Sequence, residues 1–311
     1  MLDTIRLKFS VSPSPDQLTK WTHRITETQT GIRESYIYNP IIGDTMCKFT
    51  FFPYSYTGDS LLTLEVSLPK LVLGNNYQML GSIDGTIKIS NYLLNNSSLY
   101  IPEIDLSEGV LIRLDMCYNH QVGDLVDDYI KALGYLDYPH RRTSNYRHEG
   151  VQYKSKHITT KFYDKEKETG FPEATGILRQ ETTMLKGKDI QSFIRKKKPT
   201  LLDINYDIVS AYLRIDLFRL GLLENSVATT NTALKNLCSK YGPDAGIFYY
   251  GLLKSKMDKS IKELVSVTHT HPRSLDRKLR KIREAGIPLT LTDREEPLPP
   301  LIISTFDNQM F

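Results

Sequence analysis

An α+β fold is what this sequence predicts: a mainly antiparallel sheet with helices packed on one face, followed by a helical C-terminal region. Three observations predict it. Apolar and polar residues alternate in several short segments of residues 1–190, the period of strands with one face in the core and one in water. Segments of helical spacing fall between those strands. Beyond Ile190 the alternation gives way to a series of helix-period runs.

In chain order, strands are expected at Thr4–Ser10, Met46–Phe52, Ser60–Leu68, Val110–Tyr118, Val151–Lys154, His157–Asp164 and Ile177–Met184, from their alternation and their β-branched and aromatic content. A helix is expected after Leu68. A second covers Val122–Leu133, where Leu125, Tyr129 and Leu133 recur at helical spacing. The polar stretch Asn91–Ser98 reads as a loop, and Lys156 marks a hairpin. The C-terminal region then offers IVSAYLRIDLFRLGLL, TALKNLCSKYG with Gly242 as its stop, GIFYYGLLKSKM, SIKELVSV, and a basic helix from Pro272 to Gly286. The closing DREEPLPPLIISTFDNQMF carries prolines that oppose a helix, so an extended tail or short edge strand is expected.

The chain has 311 residues, enough for a substantial core and for two domains or one with a helical extension. No apolar run approaches the ~20 residues that span a bilayer, and MLDTIRLKF lacks the apolar core of a signal peptide, so no membrane association is expected. Cys47, Cys117 and Cys238 are widely spaced and form no zinc-like pair, which fits a reducing compartment. The net charge of +4 is modest, but its distribution is uneven. HRR at His140–Arg142, RKKK at Arg195–Lys198 and RSLDRKLRKIR at Arg273–Arg283 are basic patches of the kind that suit a phosphate backbone, and equally the solvated face of a helix.

Strand parity gathers the chemistry. In VLIRLDM, Val110, Ile112, Leu114 and Met116 share one face, leaving Arg113 and Asp115 opposite. In LLTLEVSL, Leu62, Leu64, Val66 and Leu68 oppose Thr63, Glu65 and Ser67. A strand ending at Lys165 sets Ile158, Thr160 and Phe162 against Lys161, Tyr163 and Lys165. In ILRQETTM, Leu178 and Met184 oppose Arg179 and Glu181. The polar face therefore offers three carboxylates, a tyrosine and flanking cations, the groups that cutting a phosphodiester with a tyrosine requires. A sheet with one solvated face carries charges in the same places. His269 and His271 superficially suggest a metal pair, but they precede Pro272 and a basic helix, which favours a helix-entry or phosphate-contacting role. Tyr153, Tyr206 and Tyr212 read as packing residues.

These landmarks resemble the filamentous-phage gene II replication protein and the wider phage and plasmid replication proteins of the II/X type. The resemblance rests on MLDTIRLKF, LEVSLPKLVLGNN, LIRLDM, FYDK, LRQE and HPRSLDRKLRKIREAGIPL, in that order along most of the chain. Gln180 of LRQE stands where that family usually has an aromatic residue.

The resemblance implies a rolling-circle replication initiator that nicks one strand at an origin, stays on the 5′ phosphate and later rejoins the strand. Tyr163 would be its nucleophile, assisted by Lys161 and Lys165. Asp115 and Glu181, with Glu65 as a third, would hold Mg²⁺ or Mn²⁺. Arg113, Arg179, Arg273, Arg277, Arg280 and Lys281 would contact DNA. Residues 1–190 would form the nicking domain and 191–311 a helical DNA-binding region. Partners would be double-stranded origin DNA and single-stranded DNA, with a host helicase and a single-strand binding protein, in the cytoplasm of a bacterial host. Two other classes remain open: a metal-dependent nuclease that activates water, and a non-catalytic DNA-binding regulator.

Overall fold

The computed structural model describes residues 1–28, 31–54, 59–98, 100–146, 149–223, 225–259 and 261–304. The N-terminal part begins with β1 (Leu2–Phe9), the short α1 (Pro15–Leu18), the hairpin β2 (Thr22–Thr28) and β3 (Gly31–Tyr38), and a small β4 (Ile41–Ile42) and β5 (Thr45–Met46). It continues with β6 (Lys48–Phe52), β7 (Leu61–Ser67), α2 (Leu68–Leu73), α3 (Ile83–Ser97), β8 (Val110–Gln121) and α4 (Val126–Gly134). Next come β9 (Arg142–Tyr146), β10 (Gly150–Lys154), β11 (Ile158–Asp164), α5 (Lys165–Thr169), β12 (Ile177–Met184) and α6 (Gly187–Ile194). The remainder is helical: α7 (Tyr206–Leu220), α8 (Thr230–Tyr241), α9 (Pro243–Asp258), α10 (Ile261–Thr268) and α11 (Pro272–Glu284).

Among the described residues, ten strands make one antiparallel sheet in the order β2-β3-β6-β7-β1-β8-β12-β11-β10-β9. The α+β class and the helical C-terminal region are as the sequence predicts. The apolar sides of the central strands, with Ile5, Leu7, Leu62, Leu64, Leu114, Met116 and Phe162, are fully buried. Helices cover that side. Tyr153 of β10 donates its hydroxyl to the Leu133 carbonyl of α4 at 2.6 Å, and Gln180 of β12 donates to the Leu213 carbonyl of α7 at 3.0 Å. Gln180 also meets His120 at 3.0 Å. Its polar ends are thus both satisfied in the core, which an aromatic residue there would not require.

Asp216 of α7, itself buried, anchors the helical region to the sheet. It accepts from Tyr138, Thr160 and Thr182 and pairs with Arg141. Arg141 belongs to the HRR segment, for which both a phosphate contact and a solvated helix face were open. It lies instead in the core, with its guanidinium 3.8 Å from the Tyr138 ring centroid. Of the RKKK segment, Arg195 ends α6 in the left-handed conformation and Lys196 pairs with Asp203.

One other expectation changes. Asn91–Ser98 is not a loop: it lies in α3, up to the C-cap at Ser98. Its polarity docks a neighbouring segment, since Asn91 accepts from the Leu106 amide at 2.9 Å and Asn95 from the Ile104 amide at 3.1 Å. The β2–β3 hairpin and β9 escape sequence detection because they carry polar residues on both faces, with β2 and β9 the two edges of the sheet. The closing segment is extended, as expected: Val227 and Leu298 form an antiparallel bridge, Leu223 and Leu301 a parallel one, and Leu298, Leu301 and Ile303 are buried. Residues 305–311 of that segment lie outside the described ones. Among the described residues, no helix is long and apolar enough to cross a membrane.

Candidate active site on the polar face of the sheet

Register places the polar side chains in rows across the sheet. One row is Lys48, Glu65, Arg6 and Arg113; a second is Lys161, Glu181 and Cys117; a third is Tyr163, Arg179 and Asn119. Their face carries a cleft of ≈ 560 Å³, lined by Asp3, Arg113, Asp115, Lys161, Tyr163 and Glu181 among others. Lys70 and Lys167 also line it and add positive charge. Glu65 stands at the margin, beyond Arg113.

Part of this face is roofed. The Asn76 carbonyl accepts from Arg179 at 2.8 Å, the Tyr77 carbonyl accepts from Asn119 at 2.6 Å, and the Tyr77 and Phe171 rings meet at 5.7 Å. The segment after α2 and the segment after α5 therefore close over one end. Arg179 was expected to touch DNA, yet it is fully buried beneath that roof. Its guanidinium pairs with Asp3 and donates to the Asn119 side chain at 3.2 Å. Its Nε has no hydrogen-bond partner among the described residues and lies 3.9 Å from Glu181 Oε2. The Arg179 guanidinium and the Ser67 hydroxyl hold Asp3 below the usual carboxylate range against the opposing effect of burial.

Tyr163 sits at the open edge of the roof. Its hydroxyl donates to Glu181 Oε2 at 2.9 Å. Burial, then the Glu181 charge, hold the phenol well above the ordinary tyrosine range, so it is neutral at rest. Gly150 faces Tyr163 across the β10–β11 pair. A Cβ at Gly150 would lie 2.8 Å from Tyr163 Cβ and 2.6 Å from the Phe162 carbonyl, so only glycine lets β10 approach the tyrosine this closely. Lys161 Nζ reaches Glu181 at 3.5 Å and stays half-exposed. Lys165 is not on the strand. It opens α5, fully buried, with Nζ 5.5 Å from the Tyr163 ring centroid and 2.6 Å from Glu168. Burial and the nearby Arg179 lower its pKa.

Asp115, Glu181 and Glu65 share the predicted face but do not meet around one point. Arg113 stands between two of them, forking onto Asp115 at 2.7 and 3.0 Å and onto Glu65 at 2.9 Å. Arg6 takes the other Glu65 oxygen. Arg113 was itself expected to contact DNA. Burial pushes the Asp115 carboxyl up to about 6 even with the guanidinium against it. Hard carboxylate oxygens suit Mg²⁺ or Mn²⁺. The arrangement, however, does not fit the expected three-carboxylate ion site: among the described residues, no group of three or more His, Cys, Asp or Glu is placed to hold a metal.

Asp3 is the residue that sequence reasoning missed. Parity along β1 assigns it to the face of Ile5 and Leu7. The register between β1 and β8 shifts between Leu2 and Ile5, and that irregularity turns Asp3 to the polar face. The C-terminal candidates Arg273, Arg277, Arg280 and Lys281 lie on α11, exposed and outside the cleft. His271 caps α11, accepting from the Arg273 amide at 3.3 Å, which agrees with the helix-entry role. No protein-family model matches this chain, and no curated protein matches it.

Proposed function

We propose that this chain is a DNA nicking and strand-transfer enzyme, an initiator of rolling-circle replication that works through Tyr163. The observation that carries the reading is the hydrogen bond from the Tyr163 hydroxyl to Glu181 at 2.9 Å, in a cleft lined by both carboxylates and lysines. A neutral phenol is a weak nucleophile, and a carboxylate already bonded to its proton is the base that can take it. In the proposed step the Tyr163 oxygen bonds to phosphorus while the bond from phosphorus to the 3′ oxygen breaks. The phenol proton passes to Glu181, and the leaving 3′ oxygen takes a proton from water in the open cleft. Lys161, at the cleft surface, is placed to offset phosphate charge, and the fixed guanidinium of Arg179 lies behind the developing charge. Rejoining runs the step backwards: a 3′ hydroxyl attacks the phosphotyrosine and Glu181 returns the proton. The bond energy stays in the phosphotyrosine, so no nucleotide cofactor is needed for resealing.

The reading is tested with end-labelled single-stranded oligonucleotides tiling the DNA around the chain's own coding region. Wild-type protein is expected to give a covalent protein–DNA adduct with a free 3′ hydroxyl, and Tyr163→Phe to give none while still binding DNA. Free cleaved ends without an adduct would mean a hydrolase that activates water. A mobility shift without cleavage would mean a regulator.

A further inference from the structure

The basic charge of this chain is not where the cleft is. Residues 230–286, which hold α8 to α11, contain twelve Lys and Arg against five Asp and Glu, a surplus of seven. The whole chain carries +4, so the remaining residues together carry −3. Residues 1–190, which hold the sheet, contain 21 Lys and Arg against 23 Asp and Glu, so the long-range attraction for a polyanion is concentrated on the helices.

Those helices are arranged for it. The eight residues of α10 are followed by a three-residue turn, 269–271, and then the thirteen residues of α11. His269 takes φ 48°, the left-handed conformation on which helices commonly end. His271 caps the second helix. Leu264 of α10 and Leu275, Leu279 and Ile282 of α11 are buried, which fixes how both helices sit on the domain. The C-terminal half of α11 is tied down: the Lys281 carbonyl accepts from Tyr241 at 2.8 Å, and the Glu284 carbonyl accepts from Lys240. Lys278 lies over the Phe248 ring at 5.1 Å. The N-terminal half is left presenting Arg273 and Arg277 to solvent one helical turn apart, with Arg280 continuing the row.

We propose that α10, the turn and α11 form a helix–turn–helix element whose second helix enters the major groove of duplex DNA, with Arg273 and Arg277 at the base edges and Arg280 at the backbone. In such elements the N-terminal residues of the second helix read bases while the first helix crosses the phosphates, and Lys262 on α10 is exposed for that contact. Arginine suits the reading position because its fork matches O6 and N7 of guanine. The proposal rests on reading the chain as a protein that acts on DNA. Its readout needs no cutting, so failure of strand transfer at Tyr163 leaves it standing.

The test uses the full chain and a random-sequence pool of 24-base-pair duplexes, with repeated selection for binding. Wild-type protein is expected to enrich a short guanine-containing motif and to prefer duplex over single strand. Arg273→Ala with Arg277→Ala is expected to lower affinity for the selected duplex at least ~10-fold and to relax the preference for guanine, with little change in the salt slope. Arg273→Lys with Arg277→Lys is expected to keep the slope but lose discrimination at the guanines, since an ammonium cannot make the forked contact. Unaltered far-ultraviolet dichroism and melting verify that both variants are folded. Unchanged duplex affinity in the alanine variant would overturn the proposal, as would equal affinity for single strands or the same selected motif in the lysine variant.

Discussion

Two regions of this molecule are rich in charge, and they treat charge in opposite ways. On the polar face of the sheet, Arg179, Asp3, Arg113, Asp115 and Glu181 each have an ionic or hydrogen-bonding partner within the fold. On α11, Arg273 and Arg277 face solvent. Paired, largely buried charges cost desolvation energy and are fixed in direction, which is the property wanted where a proton must pass between two named atoms. Solvated charges cost little, reorient freely and act at range on a polyanion. One region is built for geometry, the other for capture.

Substitution should separate the two most sharply at arginine. Arg179→Met keeps the volume but leaves Asp3 buried with Ser67 as its remaining side-chain donor, and is expected to lower folding stability by about 3–5 kcal/mol in urea denaturation. Arg277→Met, on the exposed face, is expected to stay within about 0.5 kcal/mol of wild type. Equal losses at the two positions would erase the comparison.

A smaller effect appears in the pH dependence. The Asp115 carboxyl titrates at about 6 in the fold, against an ordinary value of 3.8. Between these values the folded state binds the extra proton, so this group makes stability fall as pH rises from about 4 to 6. Asp115→Asn removes that dependence. Its stability relative to wild type is expected to improve across this window by up to about 3 kcal/mol, read from denaturation curves at each pH. A constant difference would place the Asp115 titration elsewhere and return the Arg113 fork to an ordinary ion pair.

Gly150→Ala is expected to lower stability by about 1–3 kcal/mol, from forcing β10 away from Tyr163. Tyrosine fluorescence or the nuclear magnetic resonance shift of the Tyr163 ring should move with it. Duplex affinity should not, because α11 lies outside the cleft. A change in duplex binding as large as the change at Tyr163 would mean that the two regions are coupled.

Much of the cleft was legible because a strand has a fixed period of two. Once Leu62, Leu114 and Phe162 are assigned to the core, Glu65, Arg113, Asp115, Lys161, Tyr163 and Glu181 follow onto the opposite face, and that is where they stand. The C-terminal helices were legible for the same kind of reason, with Gly242 and Pro272 marking their ends. Tertiary structure alone decided the rest. A register shift in β1 reverses the parity of Asp3, and period arguments carry no information about irregularities in pairing. A roof formed by residues around Asn76 and Phe171 turns Arg179 from a surface cation into a buried clamp, because burial on a polar face depends on what crosses above it. Arg113 comes to stand between Glu65 and Asp115 through the pairing of three strands distant in sequence, and a guanidinium between two carboxylates is more favourable than two like charges facing each other. Where pairing is regular, the strand period assigns the face of a side chain; the packed chain decides where the pairing is irregular and which partner each side chain meets.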